Sequence, residues 1–405
     1  MQLAINLTAR TPLSFRSGRS TDRSETLPYI LGSSLVGALA AAHQRLRQNP
    51  DEFAELFLQN RLRMGNGYPA NFVEDEALQG HQQPVLPIPH TARSCKRFKG
   101  FKFQDKSHLD RKAGVTDALI PLALFSLSGE NEYTLLESLE EHPATQHPLD
   151  AISGFFRHGL SPEHIGQPET PVGLRTRTGI NYQTGTASSS VLYSRQILLE
   201  GAEFWSSFTI DDDLWDVLNT FFEHLGDSGL RVGNNRTRGF GHVRLEAERV
   251  AEEDVAALQQ RVDAFSEQFK RAARDAMLDA PAALYIPLLC TSDVIFSDPL
   301  LRSRLCVQGE DLEAFGVPGA KLVFHAASTH HIQGWSTLWG LPKADVWAIG
   351  MGSVFLFAIE AVTSSTYEGL WRVQHQGLGH RQTEGFGRVS VANRFHLELA
   401  GGQFR

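Results

Sequence analysis

One loop is written twice in this chain. Gly233-Asn234-Asn235-Arg236-Thr237-Arg238-Gly239-Phe240-Gly241-His242-Val243 returns about 146 positions later as Gly379-His380-Arg381-Gln382-Thr383-Glu384-Gly385-Phe386-Gly387-Arg388-Val389; Gly, Thr, Gly, Phe, Gly and Val coincide without a gap. That spacing exceeds the roughly 20–50 residues of a solenoid repeat, so the duplication predicts two related domains, each with this loop ahead of its last strand. A length of 405 residues suits two or three domains with substantial cores.

With 41% hydrophobic and 21% charged residues the composition is that of an ordinary globular protein. No apolar run reaches membrane-span length, and Met1 to Asn6 lacks the charged-then-apolar layout of a signal peptide. The cysteines Cys95, Cys290 and Cys306 form no C-x-x-C pair, which fits a reducing compartment, so a cytoplasmic protein without membrane contact is expected. His81, His90, His108, His142, His147, His158 and His164 follow no ligand spacing; they are expected at the surface, with no metal and no cofactor. A net charge of −8 argues against a protein that coats nucleic acid non-specifically. It leaves room for a local basic groove. Arg93, Lys96, Arg97, Lys99, Lys102, Lys106, Arg111 and Lys112 face only Asp105 and Asp110 within their run, while acids gather at 130–141 and 246–254. Such segregation suits one face for a polyanion and others for proteins; a solvated charge run is the plainer alternative.

Leu3, Ile5 and Leu7 alternate in a first strand over residues 2–10. After a loop bearing Arg16, Arg19, Asp22 and Arg23, a helix runs to about Arg47, with Ser33 or Ser34 as N-cap and Leu35, Leu39, Ala42 and Leu46 as its buried face. Gly32 to Gly37 has P-loop glycine spacing but lacks the following Lys and Ser/Thr, which argues against nucleoside triphosphate hydrolysis. A helix N-terminus there can still receive a phosphate. Residues 50–173 read as an insertion. A hairpin is expected over Arg175 to Tyr193, a strand over 203–210, and a helix from Asp211 that Gly226 and Gly229 stop before the first loop. The order is that of an α+β chain of two ferredoxin-like (RRM-like) βαββαβ domains: 1–250 with large insertions, then a connecting helix within 251–282, then a degenerate domain 283–405. In the latter, strands are expected at 283–296, 321–325 and 353–360, a helix at 367–376, and a closing strand at 388–397.

Pro28 to Leu39 (Pro-x-Ile-x-Gly-Ser-Ser-x-x-Gly-Ala-Leu) together with Gly233 to Gly241 resembles the RAMP superfamily of CRISPR-associated proteins. The tract Asn181 to Tyr193, Gly334-Trp335 with Gly340-Leu341-Pro342-Lys343, and the loop Gly379 to Gly387 are similar to the branch that caps the crRNA 5′ end in type III-D effector complexes. The resemblance covers both ends and the middle of the chain; Asp51 to Gly173 adds little. It implies a non-catalytic subunit that grips the 5′ handle of crRNA and contacts the large signalling subunit and backbone subunits, with target RNA nearby. A paired-cysteine zinc element of some relatives is missing here, and no zinc is assigned.

In that setting the loop supplies Arg231, Gly233, Asn234, Asn235, Arg236, Thr237, Arg238, Gly239 and Gly241 as RNA contacts, since glycine lets backbone approach sugar-phosphate and arginine adds charge. Further candidates are Arg16, Arg19 and Arg23, Ser33 and Ser34, Lys96, Arg97 and Lys99, and Arg175 and Arg177 of the hairpin. From the second loop come Arg381 and Thr383, where Glu384 predicts weaker binding or a protein contact. Tyr29, Phe98, Phe101 and Phe103 are candidates for base stacking. Two enzymatic alternatives stand beside this reading: target-RNA cleavage through Asp22, and crRNA processing with His43 as general base. A protein-interaction module without RNA is the third.

Overall fold

The apolar alternation at the start of the chain becomes the centre of a sheet. In the computed structural model, which describes residues 1–16, 25–72, 78, 83–101, 112–129, 131–159, 164–180, 183–184, 186–336 and 340–400, β1 (Gln2–Ala9) is buried along nearly its whole length. It is followed by α1 (Gly32–Leu46), β2 (Leu62–Met64), the hairpin strands β3 (Val172–Ile180) and β4 (Ala187–Leu198), then β5 (Glu203–Ile210), α2 (Trp215–Leu225) and β6 (His242–Val250). β1 pairs antiparallel with β5 on one side and β6 on the other, and β5 pairs with β2. Numbered along the chain, the four core strands thus lie in the order fourth, first, third, second. Leu35 and Leu39 of α1, and Leu218 and Phe221 of α2, close over Leu3, Ile5, Leu7 and Phe208. Full burial of each such side chain contributes about 1.5–3 kcal/mol.

Two details of α1 differ from expectation. Leu31, not Ser33 or Ser34, is the N-cap and offers no side-chain acceptor; the Asn66 Oδ1 accepts the Gly32 N–H instead, at 2.8 Å. At the other end Leu46 is 37% exposed and His43 takes the buried place, because helical periodicity carries the inward stripe from Leu39 to Ala42 and His43.

This sheet belongs to one of two compact units, comprising residues 1–71, 169–250 and 332–345; the other comprises 72–168, 251–331 and 346–405. The stretch 50–173, expected as an insertion of the first domain, is therefore divided, with 72–168 in the second unit. There Ile88, Phe101, Val115 and Phe156 share a core with Phe395 and Leu399, and the Phe156 and Phe395 rings lie 5.0 Å apart. Buried Asp117 accepts from Thr91 Oγ1 at 2.5 Å and sits 2.8 Å from His396 Nδ1.

The second unit is built on α3 (Val255–Asp275), β7 (Leu284–Cys290), β8 (Ala320–Ala326), β9 (Val354–Ile359), α4 (Thr366–Gln376), β10 (Val389–Val391) and α5 (Arg394–Glu398). Its sheet is antiparallel, in the order β8-β9-β7-β10, which is again fourth, first, third, second when read from β10. β7 is buried at every residue because both its faces are covered. Ile286 and Leu288 pack with Leu370 and Val373 of α4, whereas Tyr285 and Leu289 pack with Phe265 and Phe269 of α3 and with Leu119 and Leu124. The helix expected as a connector is thus a structural layer of this unit. The closing strand also ends early: Asn393 Oδ1 accepts the Phe395 N–H at 3.0 Å and starts α5 where 388–397 was expected to stay extended. Two histidines expected at the surface are buried, His142 and His158; His142 Nε2 lies 3.0 Å from the Ala113 carbonyl while its Nδ1 accepts the Ala144 and Thr145 N–H groups at 3.2 Å each.

Candidate nucleic-acid interface

The repeated sequence folds into one backbone shape twice. In the first loop Gly233, Asn235, Gly239 and Gly241 have φ of 72°, 61°, 80° and 91°; in the second Gly379, Arg381, Gly385 and Gly387 have 73°, 60°, 93° and 79°. A single 3-10 turn lies between the inner pair each time, Arg236–Arg238 and Gln382–Glu384. The hydrogen bonds correspond as well. Val232 donates to Gly241 and Leu378 to Gly387, both at 2.8 Å, so each loop closes on itself. Asn234 donates to Ser14 and His380 to Ile295, both at 2.9 Å, so each loop is tied to the chain that leaves the central strand, β1 or β7, of its own sheet.

The glycines serve this closure. A Cβ on Gly241 would lie against the Val232 carbonyl oxygen, and one on Gly233 would come within 2.7 Å of the Ser14 carbonyl oxygen. At Gly239, by contrast, the missing Cβ faces open space.

What stands on the shared frame differs between the copies. In the second loop the Arg381 guanidinium is clamped by Glu384, with Nη2 to Oε2 at 2.7 Å and Nε to Oε1 at 3.2 Å, and lies 4.8 Å from the Phe386 ring centre. Thr383 is half-buried. In the first loop Arg231, Arg236, Thr237 and Arg238 are exposed, and among the described residues none of these arginines meets a carboxylate.

Two clusters form around the first turn. On one side β3 and β4 bring Arg175 and Arg195 directly opposite each other, and together with Arg177, Asn235 and Arg238 they surround Phe240. The Arg175 and Arg177 guanidinium carbons lie 5.4 Å and 4.8 Å from its ring centre. On the other side Arg231, Arg236 and Thr237 line a groove of about 390 Å³ whose wall is α1, through Ala38, Ala41, Ala42 and Arg45. Arg195 and Arg45 did not emerge from the sequence. The first needed the cross-strand register with Arg175. The second needed its helical phase, four residues beyond Ala41 on the outward side of α1.

Among the described residues, the remaining candidates do not line these two clusters. Arg16 is exposed after Phe15, while Ser33 and Ser34 are half-buried in the first turn of α1. Lys96, Arg97 and Lys99 belong to the second unit, where Lys99 is engaged by Asp150 at 2.7 Å and Arg97 lies 5.5 Å from the Phe98 ring centre. Tyr29 and Phe101, expected as stacking platforms, are core residues, each 2% exposed. Arg19, Asp22, Arg23 and Phe103 lie outside the described residues. His43 is fully buried among Phe53, Phe57 and Phe221, its ring centre 5.2 Å from that of Phe221. Burial pushes its pKa below the ordinary histidine value despite Glu52 at 3.4 Å, and leaves the ring no path to a ribose hydroxyl.

A family model described as the RAMP superfamily matches residues 6–244. No curated protein matches the sequence. Among solved structures, the chain is similar to a type III-B Cmr-beta complex bound to cognate target RNA and AMPPnP, with 14% identity over 88% of this chain and 86% of that chain and a TM-score of 0.36. It is also similar to the Csm3-Csm4 subcomplex of the type III-A CRISPR-Cas interference complex, at 11% identity, 89% and 94% coverage and a TM-score of 0.36. For oligomeric Cmr4 from Pyrococcus furiosus the figures are 12%, 62% and 99%, with a TM-score of 0.29. The family match runs from β1 into β6, through the first glycine loop and over more than half of the sequence, and the chain therefore belongs to the RAMP superfamily.

Proposed function

We propose that this chain is an RNA-binding subunit of a type III CRISPR effector complex, of the type III-D kind, that holds the 5′ handle of crRNA and joins the large signalling subunit to backbone subunits in the cytoplasm. Both units are taken as variants of the ferredoxin-like βαββαβ fold, the second with a short first helical segment. The observation that carries the reading is the crowd of arginines around Phe240 and the first loop, for which the described residues supply no carboxylate. Like charges set directly across a hairpin destabilise it, so Arg175 opposite Arg195 is a cost that a polyanion removes. Phosphates are ligands that bidentate guanidinium groups suit, and single-stranded RNA supplies them in series. The clamped Arg381 makes the second loop the poorer anion site and favours a protein contact there.

The subunit is read as non-catalytic. His43 is sealed in the core, and a role for Asp22 is tested by comparing RNA cleavage with Asp22→Ala.

Filter binding of the purified chain to crRNA with and without its handle, across a salt series, tests the main reading. Preference for the handle is expected. Replacing Arg236 and Arg238 together by alanine should weaken binding and flatten the plot of log K against log salt by about 0.7 for each lost phosphate contact. An unchanged slope would remove these arginines from the interface.

A further inference from the structure

The groove between α1 and the first loop has a composition that phosphate binding alone does not explain. Its rim carries Arg45, Arg231 and Arg236 with the Thr237 hydroxyl, but its wall is three alanines, Ala38, Ala41 and Ala42. Methyl groups offer a phosphate nothing, since an anion on that surface would lose water without gaining a donor. They suit the face of a nucleobase, which is apolar and needs only contact. A volume of about 390 Å³ lies toward the small end of the ~300–1,000 Å³ range of ligand pockets, room for one nucleotide and not for a duplex.

The groove is also peculiar to the first copy of the repeat. At the positions matching Arg231 and Arg236 the second copy has Gly377 and Gln382, while Thr237 is matched by Thr383. The shared threonine belongs to the turn; the arginines belong to the groove.

We propose that this groove is a nucleotide pocket that takes one base of single-stranded RNA out of the stack and lays it on the alanine wall of α1, with the adjoining phosphates on Arg45, Arg231 and Arg236. The proposal rests on the RNA-binding reading above and adds to it the ligand of this one cleft. Because the wall carries no hydrogen-bonding side chain, the pocket accepts bases by shape and not by sequence. The RNA then straddles the Arg236–Arg238 turn, with Arg236 serving the pocket and Arg238 the cluster around Phe240.

Ala41 supplies the test. It is exposed, so Ala41→Leu fills the groove without disturbing the core, which an unchanged melting temperature verifies. Binding of the full chain is measured with two probes, a 12-nucleotide oligouridylate and an abasic ribose-phosphate oligomer of the same length. The variant should bind oligouridylate about fivefold or more weakly and the abasic probe as the parent does. Arg45→Ala should weaken both. If Ala41→Leu leaves both affinities unchanged, or lowers them equally, no base occupies the groove and the proposal falls. If the parent chain binds neither probe, it is the RNA-binding function itself that falls.

Discussion

At the scale of single residues the duplicated loop separates two uses of glycine that its sequence writes identically. Gly241 and Gly387 have no room for a Cβ, because the carbonyl of Val232 or Leu378 occupies that place. Gly239 has room, and only its φ of 80° favours glycine. Gly239→Ala is therefore expected to cost about 1–2 kcal/mol, the left-handed penalty of an ordinary residue. Gly241→Ala should cost more, since the Val232 carbonyl must also move. Urea denaturation of the two variants checks the order; equal losses would mean that the loop relaxes around the added methyl. The spacing of the glycines was legible in the sequence, and it marked the two loops correctly. Their reason was not, because an αL requirement and a steric one both read as Gly until the partner carbonyl is located. His43 shows the same limit. Its place on the apolar stripe of α1 follows from helical phase, yet its chemical type drew attention to proton transfer while packing against Phe221 decides its environment.

At the scale of elements, the hairpin β3–β4 is the part whose stability and proposed function pull in opposite directions. It forms its own two-stranded sheet, and such ribbons are marginal in water. Thr176 and Ser194, whose hydroxyls lie 2.8 Å apart, support it, while Arg175 and Arg195 oppose each other across the strands. Arg195→Glu would convert that repulsion into a cross-strand ion pair worth roughly 0.2–1 kcal/mol. Without RNA the variant should melt at the same temperature or slightly higher, and its RNA affinity should fall because one cation is lost and another is occupied. A fall in affinity accompanied by a lower melting temperature would point to damaged folding instead. The existence of this hairpin was readable from its polar, hydroxyl-rich edges. Its register was not, and Arg195 gains significance only once the pairing is known. The start of α1 likewise misleads: serine at a helix N-terminus invites a capping assignment, but the acceptor comes from Asn66, thirty-odd residues away by the order of the chain.

At the scale of the whole molecule, the repeated loop accompanies two sheets with the same strand order. What local pattern could not announce is how the chain divides. The boundary expected near residue 250 cuts the second unit, because 72–168 has its core partners in α5 and in the segment after β10. A fragment 1–250 retains Ile88, Phe101 and Phe156 but loses Phe395 and Leu399, and keeps Asp117 buried no longer against His396. Exposing that apolar surface and leaving the Asp117 carboxylate with Thr91 but without His396 removes the cooperativity of the segment. The fragment is expected to bind the dye ANS and to be cut by protease within 72–168, while β1, β5 and β6, whose core of Leu3, Leu7, Phe208 and Phe221 lies wholly within 1–71 and 169–250, remain protected. Supplying 251–405 in the same cell should restore protection of 72–168. A fragment 1–250 that unfolds in one cooperative step, without dye binding, would show that the segment makes a core of its own and would return it to the first domain.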